Sequence, residues 1–139
     1  MQVQIKVVLV DDHQMVRETW RMILDKDERI EVIAECSSGQ EAIDIAASLH
    51  HDVMLMDVNM QPLNGLDATK EIIKLNPHAK IIGVSVHNQA VYAKSMMLSG
   101  AKGYMTKNSS SEEMVKAIIE VNKGNTYLCD EIRDKIHEN

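Results

Sequence analysis

The feature that most restricts the fold of this 139-residue chain is a regular alternation of short apolar runs with longer segments of helical period. This alternation predicts βαβ units, in which parallel strands form one sheet covered by helices. The apolar runs predict five strands, at 6–10, 30–35, 53–56, 80–84 and 101–105. The helical segments predict five helices, at 15–27, 39–50, 65–76, 88–100 and 110–124. We therefore predict a single α/β domain with a doubly wound, five-stranded parallel sheet flanked by five helices.

Residues that end or begin helices stand where this pattern needs them. Asn76 with Pro77 ends the third predicted helix, Gly100 ends the fourth and Gly124 the fifth, while Ser110 or Ser111 offers a cap at the start of the fifth. We place the domain at residues 1–124. The polar residues 125–139 are predicted to form either a partial helix or the beginning of a linker.

Charge and composition exclude several classes of function for this segment. A net charge of −6 and an aromatic content of 3% argue against nucleic acid or an anionic membrane as direct partners, because both bind basic faces. Cys36 and Cys129 form neither a CxxC pair nor a zinc-ligand spacing, which favours a reducing compartment. The first apolar run is too short for a signal peptide or a membrane span. We therefore predict a cytoplasmic protein.

Polar side chains follow four of the five predicted strands. Asp11 and Asp12 follow the first, Asp57 the third and Ser85 the fourth, and Lys107 comes within two residues of the fifth. Ligands of an open parallel sheet bind beyond these carboxyl ends. Three carboxylates would repel one another unless a cation joined them, and an oxygen-only set favours a hard cation. The sequence predicts a Mg²⁺ site, at which Mn²⁺ or Ca²⁺ could substitute.

This constellation favours phosphoryl chemistry on a carboxylate. Beside a metal, Asp57 can act as a nucleophile, and Lys107, Ser85 and nearby loop amides can hold the spreading negative charge. Taken singly, each residue has an ordinary explanation: an Asp after a strand is usually a turn former, and a lone lysine is usually solvated. Their shared edge favours the chemical role. His13 is expected to begin the first helix and to point away from the cluster.

Five sequence segments, in this order, resemble the receiver domain of bacterial two-component response regulators: VVLVDDH, DVMLMDVNM, NGLDAT, IIGVSVH and GAKGYMTK. DDH together with GAKGYMTK and a KGNTYL tail is more similar to the NarL/FixJ (LuxR-type) branch. The resemblance implies a flavodoxin-like (CheY-like) fold. It also implies that residues 125–139 lead to a C-terminal helix-turn-helix domain absent from this chain.

The resemblance assigns roles to seven residues at the strand ends. They are Asp57 as phosphoacceptor, Asp11, Asp12, Asp57 and the backbone carbonyl of Asn59 as metal ligands, Ser85 as the hydroxyl that moves toward the phosphoryl group, Lys107 as its cationic partner, and Tyr104 as the aromatic that turns with the switch. Two positions depart from the family pattern. Gln61 separates Met60 from Pro62, and Asn108 stands after the lysine where many receivers have proline.

The implied function is a switch rather than an enzyme beyond autophosphotransfer and autodephosphorylation. The resemblance implies a sensor histidine kinase as phosphodonor, a second copy of the chain as a candidate partner, and transcriptional control with DNA contacted only through the absent domain. Two alternatives stay open. One is a Mg²⁺-dependent aspartyl-phosphate phosphatase or phosphotransferase, although such enzymes carry a second Asp where this chain has Asn59. The other is a phosphorylation-independent interaction module.

Overall fold

A computed structural model describes residues 3–136 as one sheet of six parallel strands with helices on both faces. The strand order is β2-β1-β3-β4-β5-β6. In chain order, the elements are β1 (Ile5–Val10), α1 (Gln14–Asp25), β2 (Ile30–Cys36), α2 (Gly39–Ser48), β3 (Val53–Asp57), α3 (Gly65–Leu75), β4 (Ile81–Ser85), α4 (Ala90–Leu98), β5 (Gly103–Thr106), α5 (Ser111–Asn122), β6 (Tyr127–Leu128) and α6 (Asp130–Ile136).

The prediction of a flavodoxin-like α/β fold with a parallel sheet is confirmed, but the predicted numbers of five strands and five helices are wrong. The chain adds β6 and α6 within the polar tail. β6 has two residues, too few to show an alternation, and it forms because the outer edge of β5 offers it backbone partners, with Gly103 beside Tyr127. Cys129 and Ile132 then bury their side chains completely in the core.

Alternate residues of the central strands pack on opposite faces of the sheet. Val7 and Leu9 of β1 belong to a core that includes residues of α1, α4, α5 and α6, whereas Val8 and Val10 belong to a second core shared with α2 and α3. This is the period of two expected for a strand. Because β3 and β4 are buried along their whole lengths, the helices fix the sheet from both sides and hold its carboxyl edge in place.

Helix ends follow the predicted signals. The side chain of Ser110 accepts a hydrogen bond from the Glu113 amide at 3.1 Å, so Ser110 rather than Ser111 caps α5. Asn64 caps α3 through the Asp67 amide. Gly100 and Gly124 adopt φ values of 106° and 100° after α4 and α5, a conformation that favours glycine. Across residues 3–136, no helix combines the length and the apolar character needed to cross a membrane.

Candidate functional site

The carboxyl edge of the sheet brings the predicted site residues together. Asp57 ends β3 and Ser85 ends β4, and the two strands are neighbours in the sheet. Asp11 follows β1 on the other side of β3, and Lys107 follows β5. Ser85 lies beside Thr106 in the register of β4 and β5, and the Lys107 amide donates to the Ser85 carbonyl at 2.8 Å. Four adjacent strands therefore build one site.

Lys107 joins the two buried carboxylates of the site. Its Nζ lies 3.0 Å from Asp11 Oδ2 and 3.4 Å from Asp57 Oδ1. Asp11 and Asp57 are 0% and 1% exposed, respectively. Burial of a charge is costly unless the charge is paired, so the two carboxylates depend on cations within the site.

Burial raises the pKa of the Asp57 carboxyl, and the nearby charge of Asp11 raises it further. The Asn59 amide, which donates to Asp57 Oδ1 at 3.1 Å, and Lys107 oppose this shift. For Lys107, burial lowers the pKa, but the hydrogen bond to Asp11 and the two negative charges outweigh it and raise the pKa overall. Lys107 therefore remains a cation, while the carboxylates still favour additional positive charge.

The acidic cluster fits a hard divalent cation. Ligand atoms of Asp11, Asp12, His13 and Asp57 all lie within 4.8 Å of one another. Three of these four residues offer carboxylate oxygens, the donors that Mg²⁺ prefers. The Asp12 side chain is 30% exposed and lies at the rim, where a cation would keep water ligands. Asn59, the fourth predicted ligand, lies in the turn directly after β3.

His13 occupies the N-cap position of α1 without a side-chain capping bond, and the expectation that it points away from the cluster is wrong. Its Nδ1 lies 3.0 Å from Asp12 Oδ1 and 3.3 Å from Asp11 Oδ1, and its amide donates to Asp11 Oδ1 at 2.8 Å. The ring lies beside the two aspartates because its Nδ1 can hydrogen-bond to their carboxylates, while most of the side chain stays exposed. Its adjacency to the acidic pair in the sequence was the one available signal.

A chain of hydrogen bonds connects Ser85 to Tyr104. The Ser85 hydroxyl donates to Asn59 Oδ1 and accepts from the His87 amide, both at 3.0 Å. The Tyr104 hydroxyl, on a fully buried side chain, donates to the His87 carbonyl at 3.0 Å. Tyr104 thus reaches the site through the loop after β4 rather than by direct contact with Asp57.

Two further residues support the site. Arg17 Nη1 donates to the Asp11 carbonyl at 2.7 Å, and its Nε donates to Glu35 at 3.0 Å, so Arg17 holds the turn between β1 and α1. Gly65 begins α3 against the end of β3, where a Cβ atom would lie 2.1 Å from the Asp57 carbonyl oxygen. Arg17 was not singled out from the sequence, because a side-chain bond to a carbonyl six residues earlier leaves no recognisable pattern. Gly65 lies in the NGLDAT segment that carries the family resemblance, but its close approach to Asp57 is visible only in the structure.

Known proteins are similar to this chain in both sequence and fold. The profile of the response regulator receiver domain matches residues 7–119. The response regulator GacA of Pseudomonas aeruginosa is 36% identical over 132 residues, which make up 95% of this chain and 62% of GacA. The transcriptional regulatory protein DegU of Brevibacillus brevis is 33% identical over 125 residues, or 90% of this chain and 53% of DegU. The chain thus spans little more than half the length of these relatives.

The fold agrees with a solved two-component response regulator of the LuxR family from Aurantimonas sp. SI85-9A1. The two share 29% identity and a TM-score of 0.94, with 98% of this chain and 97% of the other covered. The profile match, the relatives and this structure agree with one another. This chain belongs to the response regulator receiver domain family, and its predicted resemblance to the LuxR-type (NarL/FixJ) branch is confirmed.

Proposed function

We propose that Asp57 accepts a phosphoryl group from a sensor histidine kinase and that this modification switches the partners of the domain. The observation that carries the proposal is the buried Asp57 carboxylate, 3.4 Å from Lys107 and within an acidic cluster. Asp11, Asp12, Asp57 and the Asn59 carbonyl would hold Mg²⁺. When bound, that ion neutralises charge on the phosphoryl oxygens and helps to align the donor.

In the transfer step, one Asp57 carboxylate oxygen forms a bond to phosphorus while the phosphorus–nitrogen bond to the kinase histidine breaks. The electron pair of that bond returns to the imidazole, which takes a proton from solvent. Lys107 Nζ lies close enough to Asp57 to pair with a phosphoryl oxygen as charge spreads. The Asn59 amide orients the carboxylate for attack, because it donates a hydrogen bond to Oδ1.

Ser85 supplies the response to the modification. Its hydroxyl donates to the amide oxygen of Asn59, which is a neutral acceptor. A charged phosphoryl oxygen is a stronger acceptor, so the hydroxyl would turn toward it once Asp57 is modified. The His87 loop and Tyr104 would follow, because Ser85 holds the His87 amide and Tyr104 holds the His87 carbonyl. This is a shift between two arrangements of one network.

The two alternatives have less support at the site. A phosphatase of this type needs a carboxylic acid two residues after the nucleophile, whereas the Asn59 side chain has no acidic proton and accepts a hydrogen bond from Ser85. An interaction module that ignores phosphorylation would gain nothing from two buried carboxylates, since their desolvation is costly.

We further infer that the full-length protein regulates transcription through a domain outside this chain. The support is that relatives such as DegU, described as a transcriptional regulatory protein, are longer than the matched region. The net charge of −6 also disfavours direct DNA contact by the residues present here.

The test is phosphorylation by acetyl phosphate in the presence of Mg²⁺, followed by intact mass. We expect one phosphoryl group on the wild type, none on Asp57→Asn, and none when EDTA removes the metal. Asp134→Asn makes the same charge change on the exposed side of α6 and should be phosphorylated normally. An adduct on Asp57→Asn, or no wild-type adduct even with a competent kinase, would refute the proposal.

A further inference from the structure

The tail is built into the sheet beside Tyr104. Leu128 of β6 lies next to Tyr104 in the register, and the Cys129 amide donates to the Tyr104 carbonyl at 3.1 Å. Cys129 and Ile132 are fully buried. Glu113 of α5 accepts from the Asp130 amide at 2.8 Å, which fixes the start of α6. The position of α6 is therefore set by the strand that carries the predicted switch residue.

Glu131 connects α6 to two segments next to the site. Its Oε2 accepts from Asn88 Nδ2 at 2.9 Å, and its Oε1 accepts from Thr106 Oγ1 at 3.0 Å. Asn88 directly follows His87, and Thr106 directly precedes Lys107. The hydrogen bonds from Asn88 and then from Thr106 lower the pKa of Glu131, so the charged carboxylate is the form that these donors bind.

The loop between β4 and α4 is thus held from two sides. On one side, the His87 amide donates to the Ser85 hydroxyl, and on the other, Asn88 donates to Glu131. A movement of Ser85 toward Asp57 changes the first attachment. Asn88 is the next residue along the backbone, so a displacement of His87 also displaces Asn88. The hold on Glu131 must then weaken.

We infer that α6 is a latch, held on the β4–α4 loop and β5 by Glu131 and released when Asp57 is phosphorylated. Release frees α6, which gives the modification a route to the output domain proposed above. The trigger rests on the proposed function of Asp57. The resting contact of Glu131 with Asn88 and Thr106 does not, so the two can be tested separately.

The two buried cysteines provide a readout within one molecule. Cys129 precedes α6 at the β6 edge of the sheet, whereas Cys36 ends β2 at the opposite edge. Loosening of α6 exposes Cys129 and leaves Cys36 covered. The rate of alkylation by iodoacetamide at each cysteine, measured by peptide mass mapping, separates release of α6 from global unfolding.

The first experiment tests the resting latch. We expect Glu131→Ala to raise the rate of Cys129 alkylation roughly tenfold, because it removes two hydrogen bonds to a charged group. Asn88→Ala, which lies outside α6, should shift the rate in the same direction. Asp134→Ala removes one exposed carboxylate from the same helix and should change nothing. An unchanged Cys129 rate in Glu131→Ala, or an equal rise at Cys36, would overturn the latch.

The second experiment tests the trigger. Wild-type protein phosphorylated by acetyl phosphate and Mg²⁺ is alkylated, and intact mass reports the phosphorylated fraction. We expect faster alkylation of Cys129 by severalfold in that fraction, no change at Cys36, and no response in Asp57→Asn. An adduct with an unchanged or slower Cys129 rate overturns the latch but leaves the proposed function standing. Absence of an adduct even with a competent kinase overturns the proposed function and the trigger together, while the first experiment still judges the resting contact.

Discussion

At the scale of single residues, Lys107 determines whether the site can form without another cation. It is the ammonium group placed between Asp11 and Asp57, at 3.0 and 3.4 Å. Its side chain is only 21% exposed, so water could only partly compensate the two carboxylates if the ammonium group were removed. Loss of one partner from a buried ion pair leaves the remaining charges unsatisfied, which is more harmful than loss of the whole pair.

Lys107→Ala should therefore destabilise the protein by about 3 kcal/mol in the absence of divalent metal. Urea unfolding followed by the fluorescence of Trp20, the single tryptophan and a buried one, measures this change. Lys116→Ala removes an exposed lysine from α5 and serves as the control. Added Mg²⁺ should recover part of the loss. Equal stability of the two variants would mean that Lys107 is not a structural counter-ion.

Gly65 fixes the end of β3 by close contact, while Gly124 is required only by its backbone angle. A Cβ atom at Gly65 would meet the Asp57 carbonyl oxygen at 2.1 Å, whereas one at Gly124 would meet nothing within 4 Å. We expect Gly65→Ala and Gly124→Ala each to cost about 1–3 kcal/mol. Gly65→Ala alone should slow phosphorylation of Asp57 by acetyl phosphate, because it displaces the acceptor. Equal phosphorylation rates in the two variants would contradict this.

At the scale of elements, the helices and strands with strong local signals could be predicted. The pattern placed β1 at 6–10, against the observed Ile5–Val10, because a strand buried on both faces is a continuous apolar run. β6 could not be predicted, since two residues carry no period and its formation depends on the exposed edge of β5. A partial helix was one of two structures predicted for residues 125–139, but the sequence did not choose between helix and linker, because Ile132, which α6 buries, lies among charged residues.

The candidate site divides along the same line. The sequence could place four site residues, because a polar residue after an apolar run indicates a strand end and the parallel topology brings these ends to one edge. They are Asp11, Asp57, Ser85 and Lys107. The direction of His13 could not be predicted, nor could the contact of Arg17 with the Asp11 carbonyl. Both depend on side-chain directions across a turn or between elements, and many directions are compatible with one sequence pattern.

Arg17 and Arg21 allow a test of how α1 supports the acidic turn. Both arginines pair with Glu35, but only Arg17 also donates to the Asp11 carbonyl. Loss of a group that orients metal ligands typically costs about 10- to 100-fold in metal affinity. We expect that range for Arg17→Ala and little change for Arg21→Ala, measured by Mg²⁺ titration in a calorimeter. Equal losses would indicate that Glu35 pairing, rather than the carbonyl contact, supports the site.

At the scale of the whole molecule, the metal and the fold are thermodynamically linked. The acidic cluster combines the turn after β1 with the last residue of β3, so its geometry exists only in the folded chain. A ligand that binds the folded state alone stabilises it in proportion to the logarithm of its concentration. An acidic protein of net charge −6 also gains stability from simple screening by salt, and the two effects must be separated.

We expect Mg²⁺ at about 100 times its dissociation constant to raise the free energy of unfolding by about 2.7 kcal/mol, and EDTA to remove this gain. Sodium chloride at the same ionic strength should raise the free energy of unfolding much less, because it screens charge without binding at the cluster. Asp12→Asn removes one rim carboxylate and should reduce the Mg²⁺-dependent gain while leaving the sodium chloride effect intact. Urea unfolding of both proteins in the two salts measures these changes. If Mg²⁺ and sodium chloride stabilise the wild type equally, the cluster binds no specific cation, and the metal-assisted mechanism at Asp57 fails with it.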